Sequence, residues 1–177
     1  MEAVTETVKE NPMRTIKLSK VTVHIGVGKS GEMLEKARKV LEDLTGQKPC
    51  TRQAKQTLKD FGIREGEPIA CMTTLRGEKA NMFLKRGLEA VSNTLKASSF
   101  DDNGNFAFGV REHIEIPGTK YQPELGIFGM DIISTLERPG YRVKRRRIRQ
   151  SKIGKSHRVN REDAIKFVSD KLGVQIK

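Results

Sequence analysis

Residues 16–27, IKLSKVTVHIGV, alternate in polarity: Val21, Val23, Ile25 and Val27 fall on one side, Lys20, Thr22, His24 and Gly26 on the other. Successive side chains of a strand point to opposite faces, so this run reads as a half-buried strand with one polar face. Ser30 is placed to cap the helix that follows, whose inward stripe is Leu34, Ala37, Leu41 and Leu44 and whose stop is Gly46. A second strand is expected in IACMTTLRG, ending at Gly77. A second helix runs from Glu78 to about Leu95, with Ala80, Leu84, Leu88, Val91 and Leu95 inward. FAFGVREHIEI reads as a strand with a bulge at Gly109, and IFGMDIISTLE as another. Asn160, with Asp163 three residues on, starts a last helix with Ile165, Val168 and Leu172 inward. Strands and helices in this irregular order favour an α+β fold, a mostly antiparallel sheet with helices packed on one face and long basic loops.

Residues 1–12 read as a flexible N-terminal arm, and residues 13–177 as a single α+β domain with an N-terminal part to about residue 67 and a C-terminal part from about residue 68. Residues 47–68 carry no sustained periodicity, with turn signals at Gly62, Gly66 and Pro68. A partly ordered connection of that length inside a compact domain is usually functional or disordered.

Gly26, Gly28 and Gly31 spell G-x-G-x-x-G between the first strand and the first helix, and GVGKS looks like the end of a phosphate-binding loop. Neither nucleotide motif is complete. The phosphate-loop pattern needs a glycine at the position of Val23. The dinucleotide pattern needs a second parallel strand ending in an acid, where this chain has the polar stretch GQKPCTRQ. The glycines therefore read as a tight strand-to-helix turn. Amides at a helix start attract phosphate whatever carries it, so Gly28 and Lys29 remain candidates for an RNA backbone.

Charge points the same way. The chain holds 34 Lys and Arg against 22 Asp and Glu, a formal net charge of +12. Eleven of those cations, and no acid, lie between Arg138 and Arg161; elsewhere the two signs nearly balance. Such a run repels itself until a polyanion neutralises it, which makes Arg142, Lys144, Arg145, Arg146, Arg147, Arg149, Lys152, Lys155 and Arg158 candidate phosphate contacts. Phe106, Phe108 and Tyr141 are the aromatics available for unstacked bases, although each taken singly also suits a core. Three histidines and two well-separated cysteines offer no metal-ligand spacing, and no cofactor is expected. No apolar run approaches the roughly 18 residues of a membrane span, so the expectation is a soluble, intracellular protein with no membrane partner.

The stretches KVTVHIGVGKSG, LEDLTGQKP, FGIREGEPIACMTTLRG, GNFAFGVREHIEIP and GIFGMDI occur in this order and together closely resemble the large-subunit ribosomal protein L-five family, which binds 5S rRNA. The resemblance covers about residues 12 to 170, and the long basic segment is similar to that of the archaeal and eukaryotic branch. It implies a structural, non-catalytic role in the large ribosomal subunit, in the cytoplasm. The partners it implies are 5S rRNA, large-subunit rRNA, the P-site tRNA, and neighbouring ribosomal proteins including a small-subunit head protein at the intersubunit bridge. Carried onto this chain, the tRNA-facing loop is about residues 51–66, with Arg52, Gln53, Lys55, Lys59 and Arg64. The implied 5S rRNA surface is the open side of the sheet and its edge turns: Lys20, Thr22, His24, Gly26, Gly28, Thr74, Arg76, Asn105, Phe106 and Arg111. Many members of that family carry Asn where this chain has His24. Two other readings share parts of the pattern: a general RNA-binding or chaperone protein outside the ribosome, and an NTPase or dehydrogenase using the glycine turn.

Overall fold

The computed structural model describes residues 11–177, so nearly all of the expected N-terminal arm lies outside the described residues. The elements in chain order are β1 (Lys17–Gly26), α1 (Glu32–Thr45), β2 (Cys50–Gln53), β3 (Pro68–Leu75), α2 (Gly77–Ala90), β4 (Thr94–Leu95) and β5 (Asn105–Val110). They continue with β6 (Met130–Glu137), the single turn α3 (Arg142–Arg145), α4 (Arg161–Leu172) and β7 (Gln175–Ile176). Five strands form an antiparallel sheet in the order β2-β3-β1-β6-β5, while β4 and β7 make a small parallel pair. The fold is the expected α+β class. Strands from both sides of residue 67 share the one sheet.

The alternation of β1 decides which face is covered. Val21, Val23 and Ile25 are buried opposite Leu75, Thr73 and Cys71 of β3. Val21 and Val23 also lie opposite Ser134 and Ile132 of β6. Over this face α1 lays Leu34, Ala37, Val40, Leu41 and Leu44, and α2 lays Ala80, Phe83, Leu84 and Leu88. A fully buried aliphatic or aromatic side chain contributes about 1.5–3 kcal/mol, so these stripes, rather than helix propensity, hold the two layers together. Gly87 sets the closest approach: a Cβ there would lie 2.6 Å from Ile132 Cδ1.

Several local expectations are corrected. Ser30 does not cap α1; Gly31 is the N-cap, and the Ser30 hydroxyl donates to Glu67 instead. The second helix stops at Ala90 because Ser92 and Asn93 turn left-handed (φ 55° and 50°), which frees Thr94–Leu95 to pair with β7. Gly109 is no bulge, since it sits in register opposite Asp131; the register shifts instead in β1 between Leu18 and Lys20 and in β2 between Arg52 and Gln53. β5 ends at Val110, and β6 begins only at Met130. Asn160 does start α4, where its amide donates to Asp163 Oδ2 at 3.4 Å.

The connection between β5 and β6 is closed at its neck by one residue. The His113 amide donates to the Phe128 carbonyl at 2.9 Å, and the Phe128 amide donates to His113 Nδ1 at 3.2 Å. Only 3% of His113 is exposed, and burial pushes its imidazole below the ordinary value of 6.5 against smaller opposing effects of Phe128 and Glu112. Protonating Nδ1 would remove the acceptor. The unfolded chain takes up that proton more readily, so the stabilisation is complete above pH 6.5 and declines as pH falls through the lowered folded-state value. The urea midpoint should therefore drop between about pH 7.5 and 5.5, with a smaller drop in His113→Gln; equal drops in both proteins would assign the titration to another group.

Candidate nucleic-acid interface

Among the described residues no helix covers the other face of the sheet, and the strand register sorts its side chains into rows. Asn105, Thr135 and Lys20 form one row across β5, β6 and β1; Ala107, Ile133, Thr22 and Thr74 form the next. Gly109, Asp131, His24, Met72 and Cys50 form a third, and Gly26, Ala70 and Arg52 a fourth. The middle rows mix small residues (Ala107, Thr22, Thr74, Gly109) with Ile133, Asp131, His24 and Met72. His24 Nδ1 lies 3.5 Å from Asp131 Oδ2. Asn105 donates its side-chain amide to Asp101 at 2.7 Å, which leaves its carbonyl oxygen to accept from a ligand.

The basic segment turns back along the edge of this face and is tied down by its own side chains. Arg138 donates to Asp163 at 2.9 Å and to the carbonyls of Ser156 and Arg158. The Tyr141 hydroxyl accepts from the Val159 amide at 2.8 Å and donates to the His157 carbonyl, and His157 Nε2 lies 2.8 Å from the Pro139 carbonyl. Arg145 pairs with Glu137, which also accepts from Ser19. A groove of about 1110 Å³ runs between this wall and the β5–β6–β1 end of the sheet, with Asn105 and Thr135 on its floor and Lys144, Lys152 and Arg158 on its wall.

Of the eleven cations in the segment, Arg138 and Arg145 have carboxylate partners. Arg161 donates to the Ala97 carbonyl. Among the described residues, Arg142, Lys144, Arg146, Arg147, Arg149, Lys152, Lys155 and Arg158 lie within ion-pair distance of no acid. They are the charge that a polyanion would neutralise.

The expected site residues divide into two ends of one face. Lys20, Thr22, Thr74, Arg76 and Asn105 lie toward the basic wall, while His24, Gly26, Arg111, Gly28 and Lys29 lie toward the other end. Phe106 leaves the list: it is 1% exposed, points into the core beside Phe100, and has no ring face free for a base. Phe108 is buried on the same side, and Tyr141 is held by its hydroxyl bonds. At the glycine turn the amides of Val27 and Gly28 both donate to the Ile69 carbonyl, at 3.1 and 2.9 Å. Those two amides are therefore not free for a phosphate, and Glu32 and Glu35, paired with Lys36 and Arg38, stand in the first turn of α1. Asp131 and Ile133 were missed although the alternation of β6 puts both on the open face.

The stretch over 51–66 is built on its own backbone bonds. Arg52 and Gln53 sit in β2 against β3, and Leu58 and Ile63 exchange amide-to-carbonyl bonds of 2.9 and 3.1 Å around a 3-10 turn at Lys59–Phe61. Phe61, missed by a reading that followed charge, is 70% exposed at the tip between Lys59 and Arg64. Glu67 anchors the base by accepting from the Ser30 hydroxyl and the Arg64 amide, which hold its carboxyl below the ordinary value.

An open sheet face with a basic wall along one edge is the form of an α+β protein whose surface suits a polyanion. Among the described residues no cluster of His, Cys, Asp and Glu could hold a metal, and no helix is long and apolar enough to cross a membrane. The family described as "Ribosomal protein L5" matches residues 11–64, and the model for the C-terminus of the same ribosomal family matches residues 68–167. Large ribosomal subunit protein uL5 of Sulfurisphaera tokodaii is 53% identical over 172 residues, covering 97% of each chain. That of Pyrobaculum aerophilum is 54% identical over 169 residues, covering 96% of this chain and 94% of the relative. That of Nanoarchaeum equitans is 55% identical over 168 residues, covering 94% and 99%. The chain belongs to the ribosomal protein L5 family, in its archaeal form, and its role is structural, in the large ribosomal subunit.

Proposed function

We propose that this chain holds 5S rRNA and large-subunit rRNA in the central protuberance, with residues 13–177 acting as one domain. In this reading the groove beside β5, β6 and β1 takes an RNA backbone. The observation that carries it is a groove whose floor is the open sheet face and whose wall bears Lys144, Lys152 and Arg158, three of the eight cations of the segment that lie within ion-pair distance of no acid among the described residues. Phosphate contacts from the wall supply affinity and salt dependence, while Asn105 and Thr135 on the floor can read 2′-hydroxyls and base edges. The test is a titration of the purified protein with 5S rRNA and with a transfer RNA of similar size, from low to moderate salt. A preference of at least about a hundredfold that persists as salt rises supports shape or base readout. Equal affinities collapsing together would leave a general RNA-binding protein and overturn the assignment.

The 51–66 loop is proposed to reach the P-site tRNA, and a further surface to contact the small-subunit head. The loop stands off the sheet on its own bonds, with Lys59, Phe61 and Arg64 at its tip. Shortening it between Lys55 and Glu65 should leave 5S rRNA affinity within about threefold, because it lies at the opposite edge of the sheet from the groove. Ribosomes carrying that variant should hold P-site tRNA more weakly. Equal loss of both activities would sink the assignment of the loop to tRNA.

A further inference from the structure

On the helix-covered side, remote from the groove, a cavity of about 290 Å³ opens between α1, α2 and the connection from β5 to β6. We propose that it receives a single unstacked nucleotide of RNA; this rests on the preceding reading only in taking the ligand to be RNA. Three features of the walls select that chemistry.

The first is an apolar surface. Val40 and Leu44 of α1 and Leu125 of the connection line one side, and a flat nucleobase can lie against them. The second is a set of neutral hydrogen-bonding groups without protein partners. The His113 Nδ1 accepts from the Phe128 amide, so the neutral ring carries its proton on Nε2, for which no acceptor exists among the described residues. The Thr119 hydroxyl is buried and has no partner among the described residues either, so a turn of its side chain toward the cavity would both expose it to a ligand and give it a hydrogen bond. Asp43 adds an acceptor, matching a base amino group and disfavouring a ligand that is only an anion. The third is a pair of cations. Arg86 is fixed by donating Nε–H to the Pro117 carbonyl at 2.7 Å, and its guanidinium lies over Gly118, where a Cβ would be 3.4 Å from Nη2. Lys120 stands beside it. Together they can meet the 5′-phosphate of a nucleotide whose base lies inside.

The size agrees. Pockets for drug-sized ligands span about 300–1,000 Å³, and this one, at the lower end, suits one nucleotide and excludes a duplex. RNA is read most often through bases splayed out of a loop or bulge, the state such a cavity accepts.

The experiment follows amide and histidine ring resonances of the full chain during titration with each of the four nucleoside 5′-monophosphates and, separately, with inorganic phosphate. Saturable shifts at His113, Thr119 and Lys120 are expected for at least one nucleotide, with a Kd on the order of millimolar. Phosphate should be at least about tenfold weaker at the same resonances. Thr119→Val, which keeps the shape, should weaken the nucleotide by about two- to tenfold, the effect of one hydrogen bond. No saturable shift up to about twenty times that concentration, or equal binding of phosphate, overturns the proposal. The groove reading fails separately: loss of selective 5S rRNA binding would leave nucleotide shifts at His113 and Thr119 intact.

Discussion

Replacing Arg145, Arg146 and Arg147 together by alanine should weaken RNA binding across sequences and make its salt dependence shallower. Arg146 and Arg147 have no acid partner among the described residues, whereas Arg145 is paired with Glu137 at 2.8 Å. About two of the three charges are therefore available to displace counterions, and the slope of log affinity against log salt should fall in magnitude by about 1.4–1.8. At moderate salt the affinity loss should be on the order of ten- to a hundredfold. Filter binding or fluorescence anisotropy between about 50 and 300 mM salt reads both quantities. An unchanged slope would mean that the segment faces solvent or protein. Preference for 5S rRNA over transfer RNA should survive, because the floor of the groove is untouched.

Gly104→Ala should be among the most destabilising single changes in the chain. Gly104 ends the turn before β5 at φ +77°, and an added Cβ would lie 2.5 Å from Val159 Cγ1 and 2.9 Å from its Cβ. Left-handed backbone costs a non-glycine residue roughly 1–2 kcal/mol, and overpacking a fixed neighbour about 1–3 more, so a loss of about 2–5 kcal/mol is expected by urea denaturation. Gly66→Ala is the control: its φ is +82° with nothing near the added carbon, so only the backbone part should appear. Equal losses in the two variants would show that Val159 gives way freely. Val159 is buried where the basic segment joins α4, and its amide donates to the Tyr141 hydroxyl. Displacing it should therefore shift the wall of the groove and reduce RNA selectivity along with stability.

Local pattern settled much of the architecture. The period-two run in β1 defined one wet and one dry face, and the stripes of α1 and α2 marked the helices that cover the dry one. Errors fell where chemistry is non-local. Ser30 beside a helix start looks like a cap until Glu67, distant in sequence, takes its hydroxyl. Phe106 looks like a base platform until the register opposite Ser134 turns it inward.

The sequence by itself determined the class of fold, the polarity of the sheet, the position and sign of the excess charge, and the resemblance to a ribosomal family, because each is carried by neighbouring residues. Only the tertiary structure decided that the basic segment lies along the open face, which of its cations are already paired, and that His113, Thr119 and Arg86 line one cavity. Those outcomes depend on contacts such as Arg138 with Asp163 and Ser19 with Glu137, made across 25 and 118 residues. No periodicity encodes such pairings: they arise when packing of the apolar faces brings distant surfaces together and leaves complementary polar groups within reach of one another.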